Sequence, residues 1–193
     1  SNVVGVKTLL DLVRNKPCNA VNRPLFFHIS TDEVYGDLAQ GQHIESDILH
    51  PSNPYSASKA AGDMLVLAWA RTYDVPFIIL RPTNNYGIRQ YPEKLIPIAV
   101  KNLQRGKKIH LHDKGDPIRT WLHIDDTAGA VFALLEAGVT NGIYNVSGGF
   151  EQSNKETTRK IIGAFYGTDE NWEDHVDYQY DREGQDVRYA LDD

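Results

Sequence analysis

Apolar residues recur at spacings of three and four near the start of the chain, at Val3, Val4, Val6, Leu9, Leu10, Leu12 and Val13. That is the period of a helix burying one face, and it predicts a helix over 2–15. A continuous apolar run, Leu25-Phe26-Phe27-His28-Ile29, follows a break at Lys16-Pro17. Its length favours a buried parallel strand over a helix. Residues 34–52, with Gly36, Gly41 and Pro51, read as a loop. Asn53-Pro54 then opens a helix to about residue 72, since proline suits a first helical turn. A strand over 75–80 comes next, and helix-then-strand, repeated, predicts right-handed crossovers in a parallel sheet.

The second half repeats the alternation with shorter pieces. A helix is predicted over 94–105 with Gly106 behind it as C-cap. Short extended pieces are predicted over 108–112 and 119–124, with a turn at Lys114-Gly115-Asp116-Pro117 between them. Asp125-Asp126 place acids at the start of a helix to about 137, where they suit its dipole. A strand over 142–146 precedes the loop Ser147-Gly148-Gly149, and Ser153-Asn154-Lys155-Glu156 is a capping-box pattern opening a helix to about 165. Past Gly167 no period emerges, and the tail reads as loop-rich.

Composition changes this picture little. With 193 residues there is room for one large domain or a domain and a small lobe. A net charge of −6 argues against broad nucleic-acid binding. No apolar run approaches the ~20 residues of a membrane span. The single Cys18 excludes an intramolecular disulfide and multi-cysteine metal sites. A cytoplasmic protein without nucleic-acid or membrane partners is the expectation.

Candidate chemistry gathers at the end of the first predicted strand. Ser30-Thr31-Asp32-Glu33 sets two hydroxyls beside two carboxylic acids, and Tyr55 and Lys59 lie one helical turn apart on one face of the next helix. An ammonium near a phenol favours the phenolate, so the pair reads as a base with a lowered pKa. The same spacing also fits an exposed ion-and-phenol pair on a solvated helix. Asp32 and Glu33 read either as an acid and a base set apart by their surroundings or as solvated loop carboxylates, and Thr31 as a turn cap. His110-x-His112 shares a strand face, with His123 beyond, but no cysteine or close acid completes a metal set and none is expected.

Seven segments in order carry a resemblance over essentially the whole chain: S-T-D-E-V-Y-G (30–36), N-P-Y-S-A-S-K (53–59), R-P-T-N-N-Y-G (81–87), P-E-K-L-I-P (92–97), R-T-W-L-H-I-D-D (119–126), Y-N-V-S-G-G (144–149) and D-R-E-G-Q-D-V-R-Y-A-L-D (181–192). The chain resembles the extended short-chain dehydrogenase/reductase family, in its nucleotide-sugar 4,6-dehydratase branch. The resemblance implies an α/β fold, the C-terminal part of a Rossmann-like doubly wound parallel sheet plus a smaller substrate-binding lobe. It divides the chain into 1–88 and 119–148 for the sheet domain, and 89–118 and 149–193 for the substrate side. The implied reaction converts dTDP-glucose or a related NDP-glucose to the 4-keto-6-deoxy sugar, with NAD recycled internally. Tyr55 is the implied base at the 4-hydroxyl, Glu33 the base at C5, and Asp32 the acid at the 6-hydroxyl. Thr31 is placed at the 4-oxygen, and Lys59 at the nicotinamide ribose. Ser30 and Asn85 join Tyr55 and Lys59 on the cofactor side. Asn84, Lys94, Leu95, Arg119, Asp181 and Arg182 fall on the substrate side, together with His110 and His112 in place of the family's Pro-x-Tyr.

The sequence departs from the family at Gly184-Gln185, where a Gly-His is usual, and at Phe150, where an Asn is. No Gly-x-x-Gly-x-x-Gly occurs. That phosphate turn stands at the start of the family's proteins, so the chain reads as their C-terminal portion. Three outcomes remain open on the sequence: a 4,6-dehydratase, a related nucleotide-sugar epimerase or decarboxylase, and a piece that binds nucleotide sugar without turning it over. Homologues often pair through the two helices here at 2–15 and 55–72, so a homodimer is expected.

Overall fold

The computed structural model describes residues 2–16, 23–167, 169–178 and 186–193. Helix α1 (Val4–Asn15) leads to strand β1 (Phe26–Ile29), helix α2 (Pro54–Tyr73) and strand β2 (Phe77–Pro82). A short β3 (Asn84–Tyr86) precedes α3 (Leu95–Gln104), β4 (Ile109–Leu111), β5 (Ile118–His123) and α4 (Ile124–Glu136). Then follow β6 (Gly142–Val146), β7 (Glu151–Ser153), α5 (Asn154–Tyr166) and β8 (Val176–Tyr178). Among these residues no helix is long and apolar enough to cross a membrane.

The main sheet has the order β1-β2-β6, all parallel, with Ile29 opposite Leu80 and Pro82 opposite Val146. Successive side chains of a strand point to opposite faces. Phe77 and Ile79 of β2 accordingly join Phe26 of β1 in one core, against Leu10 of α1 and Val66 of α2. His28 and Arg81 continue those same alternations and so face α2 as well, which matters below. A second core, built from Ala99, Leu103, Ile109, Leu111, Ile162 and Val176, holds α3, α5 and the β4-β8 pair together. A third, of Val34, Tyr35, Ala60 and Leu191, lies directly behind the polar end of β1.

The expected alternation is present, with four differences. The loop expected from residue 34 is preceded by a 3-10 turn, Asp32–Tyr35, which carries both carboxylates. The strand expected over 75–80 lies over 77–82 instead, because Arg81 and Pro82 still pair with β6, and all six residues are buried. After the strand expected to end at Leu80, the structure adds a short strand that no sequence period announces, β3, parallel to β5. The tail read as loop-rich contains β8, and β7 pairs antiparallel with β5. Three-residue strands are too short to print a period of two in a sequence.

The C-terminal stretch 186–193 is packed rather than loose. Tyr189, Ala190 and Leu191 are buried, and bridges join Leu191 to His43 and Arg188 to Ile118. Asp181, Arg182 and the Gly184-Gln185 departure, with Cys18, lie outside the described residues.

Candidate active site

The carboxyl ends of β1 and β2 open into a cleft of about 570 Å³. That is where open α/β sheets bind ligands. Its near wall is Ile29, Ser30, Thr31, Glu33 and Tyr55, and its far wall includes Asn84, Lys94, Leu95, Arg119, Trp121 and Asn154.

Thr31 both caps the 3-10 turn and serves the acids. Its oxygen accepts the Glu33 N–H at 3.4 Å and its hydroxyl donates to Asp32 Oδ1 at 3.1 Å. The turn ends at Gly36 with φ 86°, where a Cβ would come within 2.4 Å of the His50 carbonyl oxygen. Only glycine closes the turn there. Asp32 is 2% exposed and stands behind the cleft wall, with Oδ2 lacking any partner. Burial, reinforced by the Glu33 charge, raises its pKa to about 7. Glu33 stands in the wall itself and is also raised, chiefly by burial, against a hydrogen bond from the Asn53 side chain. Two adjacent carboxyls thus differ: one is a buried proton carrier at neutral pH, the other meets the cleft.

Asn53 starts α2 with a capping box, its side chain accepting the Ser56 N–H at 2.9 Å while the Ser56 hydroxyl accepts the Asn53 N–H at 3.2 Å. Its amide also donates to Asp186 at 2.9 Å, tying the helix start to the C-terminal stretch. Tyr55 follows at the first turn, half exposed on the cleft. The expectation that Lys59 lowers the Tyr55 phenol is not met. Burial comes first and the Glu33 and Asp32 charges second, and all of them raise it. Lys59 lies behind the wall and donates to the Ile29 carbonyl at 2.6 Å, fastening α2 to the end of β1. A lowered phenol therefore needs a further positive charge in the cleft.

The far wall is assembled from distant segments. Lys94 precedes α3, and Leu95 begins it. Arg119 of β5 gives hydrogen bonds to the carbonyls of Ile118 at 2.7 Å and Asp186 at 3.0 Å, so its fork is held in place while it lines the cleft. Asn85 lines the cleft too, but its amide is spent on the Thr83 carbonyl and the Thr127 hydroxyl. His110 and His112 do not line this cleft, contrary to the substrate role expected for them. They sit at β4, where His110 Nδ1 is 3.4 Å from Asp177 of β8, because the β4-β8 pairing turns that strand into the second core.

Sequence reasoning did not single out Thr83, Gln90, Tyr91, Glu93, Trp121 or Asn154, all of which line the cleft. Most lie inside or beside the motifs quoted above. Asn154 signalled only a helix cap, and Asp186, which anchors Asn53 and Arg119, lies inside the 181–192 motif with no role assigned to it there.

A nicotinamide ribose fits the near wall by its chemistry. Ser30 and Thr83 carry buried hydroxyls without partners at the strand ends, beside the Tyr55 phenol. Such donors are satisfied by a ligand rich in hydroxyls and amides.

Residues 1–147 match the NAD dependent epimerase/dehydratase family. The chain is 41% identical to the Low-salt glycan biosynthesis protein Agl12 of Haloferax volcanii, covering 100% of this chain and 59% of that protein. It is 38% identical to dTDP-glucose 4,6-dehydratase 1 of Escherichia coli, covering 100% and 58% respectively. The solved dTDP-glucose 4,6-dehydratase of Bacillus anthracis, in complex with NAD, superposes with a TM-score of 0.88 at 41% identity, over 99% of this chain and 58% of that one. The chain thus spans somewhat under three fifths of the length of these relatives. A buried acid, a second acid facing the cleft, a phenol and an amine at the carboxyl end of a parallel sheet agree with the match over residues 1–147: the chain belongs to the NAD dependent epimerase/dehydratase family.

Proposed function

We propose that the protein of which this chain forms the whole or a part is an NAD-dependent hydro-lyase, a dTDP-glucose 4,6-dehydratase or a dehydratase of a related NDP-glucose. The observation that carries the reading is the asymmetry of Asp32 and Glu33, one buried and protonatable near neutrality, one facing the cleft beside Tyr55. An epimerase moving hydride at C4 alone has no use for such a pair.

Ser30, Thr83, Tyr55 and Lys59 would hold the nicotinamide end of NAD. Bound NAD would supply the hydride acceptor and donor and a positive ring beside the phenol. Tyr55 accepts the proton of the sugar 4-hydroxyl as C4 is oxidised, with Thr31 donating toward the 4-oxygen. The 4-keto group acidifies C5–H, and Glu33 removes that proton. Asp32, behind the wall, would turn its unpartnered Oδ2 toward the cleft and give its proton to the departing 6-hydroxyl, so one water leaves and a C5–C6 double bond remains. Glu33 would return its proton to C5 as hydride passes from the reduced cofactor to C6, which completes the 4-keto-6-deoxy sugar. Arg119 and Lys94 are suited to the diphosphate, the first as a planar fork and the second as a point charge. Asn84 and Leu95 would border the sugar and nucleotide, a role that the resemblance also implies for Asp181 and Arg182. Residues 1–88 and 119–148 serve the sheet domain, and 89–118 and 149–193 the substrate side.

Val4, Leu9 and Leu12 of α1 and Met64 of α2 leave apolar surface exposed, which supports a homodimer through these helices, in a cytoplasmic enzyme. The test of the reaction is product analysis: the intact protein, NAD and dTDP-glucose should yield a 4-keto-6-deoxy sugar and water. A 4-epimer or a decarboxylated sugar as sole product would overturn the reading, as would the absence of turnover with every NDP-glucose.

A further inference from the structure

One polar cluster is left unused by this chemistry. Asp63 lies one helical turn beyond Lys59 on α2, on the same side of the helix, and is completely buried. Arg81 of β2, 2% exposed, donates from Nε to Asp63 Oδ2 at 3.0 Å. His28 of β1 approaches Asp63 Oδ1 through Nε2 at 3.3 Å. Arg81 also donates to the Tyr35 hydroxyl at 2.7 Å, and that hydroxyl donates to Asn145 of β6 at 2.8 Å. A buried ion pair is costly to assemble, and apolar residues of equal volume often hold a fold as well. Its place beneath Lys59, on the side of the sheet that packs α2, calls for a use.

We propose that Asp63 is the buried counter-charge of Lys59, its strength set by Arg81, and so a positioning residue for the Tyr55–Lys59 pair. Burial works against the Lys59 ammonium, and Asp63 is the charge that works in its favour. The other titratable groups around this pocket are Tyr55 on α2, His28, Asp32 and Glu33 on and after β1, and Tyr35 and Glu45 beside Arg81. Ahead of helix α1 stands the uncharged Asn2, which donates to Ser58. The helix's charged Lys7 and Asp11 pair with each other, and Arg14 stacks on Tyr73. Neutralising Asp63 removes the attraction and leaves burial unopposed, so the ammonium is lost at lower pH. Neutralising Arg81 unmasks Asp63, and the ammonium persists to higher pH. Loosening of the site has a different signature. It admits water to Lys59 in either variant and moves both toward the ordinary amine value.

The test reads Lys59 directly. Only a neutral amine reacts with acetic anhydride, and mass spectrometry follows acetylation of the Lys59 peptide against pH in the intact protein, with Lys101 as an exposed control. For Asp63→Asn the midpoint should fall by roughly one pH unit or more, and for Arg81→Met it should rise. The double variant leaves no unpaired buried charge, which favours its folding. Its midpoint should lie below the parent's. Midpoints unchanged in the double variant, or a rise in Asp63→Asn, would overturn the counter-charge. The inference rests on Lys59 being the partner of Tyr55, and a second readout separates the two. The pH profile of NAD reduction should shift in the same direction as the acetylation curve. Acetylation shifts without a rate shift would retain the counter-charge and sink the catalytic reading of Lys59.

Discussion

The two walls of the cleft are built in different ways. The near wall takes its reactive groups from residues 30–33 and 55–59, two short segments locked by a 3-10 cap, a capping box and the Lys59 contact to β1. The far wall draws Lys94, Arg119 and Asn154 from three separate elements, with Asp186 of the C-terminal stretch steadying the arginine. The near wall is where acidities are moved, by burial and by like charge. The far wall supplies fixed charge and shape. Proton transfer demands tight placement of a few groups, whereas grip on a nucleotide can be spread over many.

Substitutions in the near wall should therefore strike the chemical step, and those in the far wall the binding of substrate. The largest effect belongs to Tyr55→Phe. It should lower the rate of NAD reduction by dTDP-glucose about 10²–10⁴-fold in single-turnover absorbance, and an unchanged rate would remove Tyr55 from its role. Glu33→Gln should lower formation of the 4-keto-6-deoxy product ~10²-fold or more while NAD reduction stays visible, so that the two halves of the reaction come apart. If NAD reduction vanished with it, the near wall would be one unit rather than two. Arg119→Met should raise KM about 10–100-fold with kcat little changed, as befits a charged hydrogen bond worth roughly 1.5–3 kcal/mol. A fall in kcat at constant KM would erase the distinction between the walls.

An effect of another kind concerns stability. Asp32 titrates near 7 in the folded chain and near 3.8 unfolded. Between those values the folded state binds more protons, so stability falls as pH rises through that window and levels off above it. The full span is worth at most ~4 kcal/mol. Asp32→Asn should remove it, making the variant more stable than the parent in urea at pH 8 but not at pH 4. Equal urea midpoints at pH 8 would show that Asp32 is not held in its buried, charge-averse state. The slightest change expected is Asn53→Ala, which deletes the helix cap at a cost of ~1 kcal/mol in the same titration.

Sequence made the near wall readable because its groups are contiguous and stand at the junction of an apolar run with a proline-started helix. Tyr55 and Lys59 were placed correctly on one helix, yet the direction of the Tyr55 shift was not legible. It depends on how deeply Glu33 and Asp32 are buried and on where the Lys59 ammonium points, and neither is written in a spacing. The parallel direction of the main sheet followed from helix–strand alternation, but not its order β1-β2-β6, while β7 and β8 escaped because each is only three residues long. His110 and His112 stand away from this cleft because β4 pairs with β8, and nothing local in a sequence announces so distant a partner. Asp186 and Asn154 reach the cleft only through tertiary packing.

Gly148 carries a consequence of its own. A Cβ there would lie 1.9 Å from the Trp121 carbonyl oxygen, so the loop after β6 rests directly on the backbone of β5. Trp121 borders the cleft on that strand, and Arg119 is two residues before it. The end of β6 and strand β5 thus meet backbone to backbone, and a movement at Gly148 reaches the strand that carries Arg119 with no side chain between to absorb it.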